Sequence, residues 1–295
     1  MNPLLALINE VMTKQPIITE NADGEVIRVR NQIPGVVGNY SLSEVISPNR
    51  SGPRATGYGN IIERSIVARF GAHIVTIPGL NNPNYPDPGP QLAALLKRKE
   101  RFLTIEAAPF VAVPDDDELE LSAKPYLIAD YNEQTAPLYG VGFTLSRSDI
   151  RDLADNAAID SVVNSIEMGL ANIVDHVLLA HLDTAAPLLA QSSSASLLKA
   201  AAARGLRFTE LSAIAGGELK GAEVAQDGTL RAYGIRAELT PYTENTIVGA
   251  FNRAAVGIED DFRITAYRKT NGSIEIVCWV MAQAQVPDSS AFWRI

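Results

Sequence analysis

Reactive side chains are scarce here: one cysteine, three histidines and two tryptophans in 295 residues. A lone Cys278 excludes an intramolecular disulfide, which fits a reducing compartment. Its place in the apolar run IEIVCWVM predicts a buried, inert thiol. Basic charge is also short, 25 Lys and Arg against 34 Asp and Glu, for a net charge of -9. A chain whose main work is gripping phosphates needs concentrated cations, so that class is disfavoured. No run of eighteen or more apolar residues occurs, so no membrane-spanning helix is expected. The first residues, MNPLLALINEVMTK, lack the basic lead and cleavage site of a secretory signal.

The motifs that would carry chemistry are incomplete. His176 and His181 sit five apart on a helical pattern, about 140° around the axis, and so cannot share a zinc ion as an HExxH pair does. His73 lies alone in a strand-like run. Ser196-x-x-Lys199 has the spacing of penicillin-binding hydrolases, but Lys269-Thr270-Asn271 breaks their Lys-Thr-Gly, and a helix start explains the serine equally well. Gly57-Tyr58-Gly59 begins a dinucleotide fingerprint, yet Ile62 stands where the third glycine belongs. Gly216-Gly217-Glu218-Leu219-Lys220-Gly221 lacks the Lys-Ser/Thr ending of a phosphate loop. The acidic run Asp115-Asp116-Asp117-Glu118 lacks the alternation and central glycine of a calcium loop. No catalytic, cofactor-binding or metal-binding residue is assigned, and the chain does not read as an enzyme.

What is present is architecture. Leu4, Leu5, Ile8, Val11 and Met12 form the stripe of a short helix that must dock on something to persist. About forty residues with only brief alternating pieces follow and read as an extended arm. Residues 61–78 read as a helix or strand running into a strand, and five prolines fall among the thirteen residues 78–90. QLAALLKRKERF reads as a helix with Lys97, Arg98 and Lys99 in its last turn, where cations suit the helix dipole. LTIEAAPFVAVP and ELELSAKPYLIA read as a long hairpin with the acidic run at its tip.

Residues 146–182 hold the longest periodic pattern. Ser146-x-x-Asp149 forms a capping box. Ile159, Val162, Val163, Ile166, Leu170, Ile173, Val174, Val177 and Leu178 keep helical spacing. Asp160, Asn164, Glu167 and Asp175 fall largely on other faces, which are expected to meet neighbours and solvent. A break is expected near Asp155-Asn156; some 35 residues would span about 50 Å. SLLKAAAARGL reads as a helix closed by Gly205. Asn271-Gly272 between two β-rich runs is a strong hairpin signal.

In that order, FTLSRSDIRDLADNAAIDSVVNSIEMGLANIVDHVLLAHLD and TIVGAFNRAAVGIEDDFRITAYRKTNGSIEIVCWVMAQAQVPDSSAF resemble the strand-into-spine passage and closing section of the major capsid proteins of tailed bacteriophages. The resemblance covers roughly residues 100–295. It implies an α+β, HK97-like capsid fold with an N-terminal arm, an extended β-hairpin (E-loop), a long spine helix, and peripheral and axial domains. The boundaries it implies are 1–60 for the arm, 61–145 for the E-loop region with its connecting helix, and 146–190 for the spine helix of the peripheral domain. The axial domain would take 191–250 and the closing peripheral strands 251–295.

The resemblance implies self-assembly as hexamers and pentamers into an icosahedral shell in the virion, built in the host cytoplasm. Scaffolding, portal and decoration proteins would be partners, the scaffold being a separate protein. Packaged DNA would lie nearby without specific binding, and no membrane or cofactor is involved. Lys97, Arg98 and Lys99 are expected to meet Asp115, Asp116, Asp117 and Glu118 between subunits. An encapsulin-type shell, a phage tail structural protein and a Ser-x-x-Lys hydrolase are the alternatives.

Overall fold

The computed structural model describes residues 6–7, 10–11, 19–20, 26–27, 36–41, 58–77, 101–108, 110–112, 121–152, 157–190, 193–269 and 271–295. Two six-stranded sheets and one long helix organise them. Short strands β1 (Thr19–Glu20) and β2 (Val26–Ile27) pair with each other. Then come β3 (Val36–Ser41), helices α1 (Tyr58–Arg64) and α2 (Ile66–Arg69), and β4 (His73–Ile77). A two-stranded ribbon is formed by β5 (Arg101–Ile105) and β6 (Tyr126–Asp130), and β7 (Leu138–Leu145) runs into α3 (Arg147–Asp152) and the long α4 (Ala157–Ala185). After α5 (Ser194–Ala203) the chain is mostly strand: β8 (Ser212–Ala215), β9 (Ala222–Val224), β10 (Leu230–Ala232), β11 (Ile235–Leu239) and β12 (Ile247–Gly249). β13 (Ala255–Glu259), β14 (Asp261–Arg268), β15 (Ile274–Gln285) and β16 (Phe292–Arg294) close it.

The first sheet runs β3-β14-β15-β13-β4, with β7 also on β15. The second runs β16-β12-β8-β11-β10-β9. β15 is long enough for β7 to pair with residues 274–281 while β13 takes 282–285. Among the described strands, β4 pairs parallel with β13 and β8 with β11. Both join strands far apart along the chain, so no hairpin signal announces them.

α4 rises about 43 Å for its 29 residues and lies against β15. Val163, Ile166, Leu170, Val174, Val177 and Leu178 enter the main core as their spacing requires. Ser161–Ala185 is apolar and long enough to cross a bilayer, but 56% of its most apolar window is buried inside the fold, as expected of a core helix. Val11 of the N-terminal stripe is buried in the same core, together with Leu7, which the stripe did not include; Leu4, Leu5, Ile8 and Met12 lie outside the described residues. The capping box forms: the Ser146 N–H donates to Asp149 Oδ2 at 2.8 Å and the Asp149 N–H to Ser146 Oγ at 3.2 Å. The expected break near Asp155-Asn156 lies outside the described residues. Gly205 ends α5 at φ 66°, and Asn271-Gly272 makes the β14–β15 turn.

Three expectations need correction. The helix expected to reach Phe102 does not, because Arg101 and Phe102 are already in strand, paired with Asp130 and Ala129. The hairpin ladder is shorter than the sequence suggests: residues 106–108, 110–112 and 121–125 form no strand, and Pro125 has no N–H with which to extend it. Glu167 and Asp175 do not face solvent; they are 3% and 2% exposed. α1 and α2 pack on α4 as well as β15 does, so faces that a single apolar stripe would leave wet are covered.

Candidate assembly surface

Among the described residues the chemistry-bearing side chains do not converge. His73 packs beside Phe102, ring centroids 5.3 Å apart. His176 lies between Tyr139 and Tyr242 at 6.3 and 5.7 Å, away from His73's ribbon contact. The Ser196 hydroxyl donates to the Ser193 carbonyl at 2.9 Å in the first turn of α5, which Ser193 caps, so this serine belongs to a helix start. The glycine-rich loop after β8 has its amides directed within the protein: Gly217 donates to Thr243 O and Glu218 to Glu244 O. A Cβ on Gly216 would fall 2.6 Å from the Asn245 carbonyl, so that glycine serves a close backbone approach rather than a phosphate. Among the described residues no three His, Cys, Asp or Glu side chains are grouped to hold a metal ion.

Cys278 is buried in the core, and burial pushes its thiol up to about 12. The thiolate is the reactive form. In mildly alkaline buffer the folded chain should therefore resist a thiol reagent, and one equivalent should react only after denaturation. Full labelling of the folded chain would contradict this burial.

Asp175 is a buried carboxylate held by three donors. Its Oδ1 accepts from the Ser65 hydroxyl at 2.6 Å and the Val67 N–H at 3.0 Å, and its Oδ2 accepts from the Ile66 N–H at 3.1 Å. Burial pushes the carboxyl up from its ordinary value, while the three donors pull the other way. The group ties α2 to α4 and is structural.

Among the described residues two surface features are apolar. In the ribbon, Leu103 pairs with Ile128 and Ile105 with Tyr126, placing all four on one face, and all four are exposed, Ile105 at 74%. The opposite face, with Phe102, Thr104, Leu127 and Ala129, turns toward the body. There Phe102 meets His73, and Gln285 Nε2 donates a long bond of 3.5 Å to Ala129 O. Arg101 and Asp130 close the strand ends with an ion pair at 3.0 Å. Beyond the ladder Phe110 and Leu121 are 98% and 97% exposed. At the ribbon base the Tyr131 hydroxyl is buried without a hydrogen-bond partner among the described residues. Burial, then Glu259 and Glu133, raise its pKa.

A second apolar feature is concave. A groove of about 590 Å³ opens between α4 and the strands β7 and β15. Tyr139, Val141, Phe143, Met168 and Ile173 line it, with Asn164 and Asn172 at its polar side, and among the described residues no charged side chain lines it. The sequence-expected contact residues Lys97, Arg98, Lys99, Asp115, Asp116, Asp117 and Glu118 lie outside the described residues. The ribbon's uncovered face and the groove were not singled out from sequence; the alternation of Leu103 and Ile105 was the available signal.

No family model matches the chain, and no curated protein matches it. Solved structures do. One is described as Mycobacterium phage Che8, at 12% identity and a TM-score of 0.45, over 78% of this chain and 90% of that one. Another is the satellite phage P4 procapsid including size determination (Sid) protein, at 12% and 0.49, over 80% and 96%. A third is a virus-like particle from Pyrococcus furiosus, at 11% and 0.46, over 81% and 95%.

Proposed function

We propose that this chain is the major capsid protein of a tailed bacteriophage, assembling as hexamers and pentamers into an icosahedral head shell around DNA. The observation that carries the reading is the β5–β6 ribbon with its uncovered apolar face. A two-stranded ribbon is marginal in water by itself, and a contiguous exposed apolar face marks a contact surface. A second copy of the chain is the occupant that this reading supplies. The ribbon's charges are already paired at Arg101–Asp130, so its face suits the apolar lining of the groove between α4 and β7 of a neighbour. Within one chain the two surfaces are both open, so they do not satisfy each other.

The order of elements supports the same reading: arm strand, ribbon, long helix, second sheet, closing strands. In it the ribbon is the E-loop, α4 the spine of a peripheral domain, and the β8–β12 region the axial domain. The role is non-catalytic. A net charge of -9 suits an inner wall that lies beside packaged DNA without holding it. Scaffolding and portal proteins join as partners in the host cytoplasm. The runs 97–99 and 115–118 meet between copies and set the register of the ribbon.

Electron microscopy and sedimentation of the purified chain, with and without a scaffolding partner, test this. Closed shells or capsomers are expected; a compact monomer under every condition overturns the reading. Ile105→Asp with Ile128→Asp should abolish assembly while shifting stability by only about 0.5 kcal/mol, as exposed positions do. Normal shells from that double variant would remove the ribbon from the interface. Lysines in place of the acidic run 115–118 should likewise impair assembly, and normal shells would end the proposed charge contact.

A further inference from the structure

The chain contains a single Asn-Gly dipeptide, Asn271-Gly272, at the turn between β14 and β15 of the first sheet. Asn-Gly is the dipeptide most open to deamidation, because glycine offers no side chain to hinder attack. In that reaction the Gly272 amide nitrogen loses its proton to base and attacks Asn271 Cγ. The new C–N bond closes a succinimide, the Cγ–NH2 bond breaks, and the nitrogen leaves as ammonia with the proton returned. Water then opens the ring to aspartate or isoaspartate.

The turn withholds each reactant. The Gly272 N–H donates to the Lys269 carbonyl at 2.9 Å, and the Lys269 N–H donates to Ser273 O at 2.8 Å. The Asn271 Oδ1 accepts from the Ser273 N–H at 3.0 Å and from the Ser273 hydroxyl at 2.7 Å. The side-chain amide is thus anchored one residue beyond the nitrogen that would attack it, and Ser273 itself is buried. Gly272 sits at φ 84°, and the Arg147 side chain lies over it.

We infer that Asn271 is a conditional deamidation site, silent in the closed β14–β15 turn and reactive whenever that turn opens. The consequence follows from geometry. Isoaspartate adds a methylene to the main chain, so Lys269 and Ser273 lose their pairing at the start of a ladder that runs from Arg268↔Ile274 to Arg263↔Trp279. A shift in that register turns the buried Ile274, Ile276 and Cys278 toward the wrong face. A chain that dwells unfolded therefore loses the ability to refold, whereas a folded chain is preserved.

Peptide mass spectrometry of the full chain, incubated folded or unfolded in urea in the same mildly alkaline buffer, reads the outcome through uptake of 18O at residue 271. The folded chain should deamidate roughly tenfold more slowly or better, the factor set by the opening equilibrium of the turn. Ser273→Ala, checked as folded by circular dichroism, should fall between the two rates because it removes one anchor of Oδ1. Equal rates in the folded and unfolded chain overturn the inference. A Ser273→Ala rate equal to that of the wild-type folded chain removes the serine hydroxyl from the protection.

Discussion

Asp175→Ala should lower the unfolding free energy by roughly 3–5 kcal/mol, since each buried donor left without an acceptor costs about 1–3 kcal/mol. The substitution strips the acceptor from the Ser65 hydroxyl and from the Ile66 and Val67 N–H groups at once. Ser65 is wholly buried and its Oγ already accepts from the Ala68 N–H, so water does not replace the lost partner. The graded control is Asp175→Asn. Its Oδ1 keeps Ser65 and Val67, but its NH2 points at the Ile66 N–H, for a cost of roughly 1–2 kcal/mol. Urea unfolding with an unchanged slope measures both. An alanine variant within about 0.5 kcal/mol of wild type would show that the carboxylate is not the tie between α2 and α4.

Gly249→Ala is the second substitution with a large expected effect, about 3 kcal/mol of destabilisation or failure to fold. Its Cβ would press on the Phe292 ring, 2.7 Å from the Ala291 carbonyl and 2.9 Å from Phe292 Cα. These are mostly backbone atoms, so no rotamer change relieves them. Relief requires β12 to move away from β16, where Gly249 pairs with Phe292. That movement spreads, because Phe292 meets Phe251 edge-on at 5.5 Å. Arg294, in the same short strand, donates to the Asp183 and Ala186 carbonyls at the end of α4. Thermal melting and circular dichroism would register the change, and a melt matching wild type would show that β16 gives way freely. Stability differences of this size are large against the roughly 5–15 kcal/mol that holds a typical domain folded.

Elements whose signals are local were legible in the sequence. The Ser146–Asp149 box, the apolar spacing of α4 and the Asn271-Gly272 hairpin all rest on residues a few positions apart. Cys278 could be placed in the core because the whole run around it is apolar. The extent of the ribbon was overestimated, since β-rich composition continues past Ile105 whereas the ladder does not. The uncovered face was only half legible: alternation indicates a face, but which of two faces the body covers depends on where His73 and Gln285 stand.

By itself, then, the sequence determined the long helix and its cap, the short helix closed by Gly205 and the β14–β15 turn. Tertiary structure alone decided what surrounds them. Asp175 looks like a solvent-facing residue of a long helix until Ser65, 110 positions earlier, is brought to 2.6 Å. The parallel pairings of β4 with β13 and β8 with β11 are likewise made between distant segments. So is the need for a bare Cα at Gly249. The physical reason is one of range. Helix spacing, caps and turns are set by forces between near neighbours in sequence, whereas burial, buried hydrogen bonds and an uncovered apolar face exist only once distant segments pack.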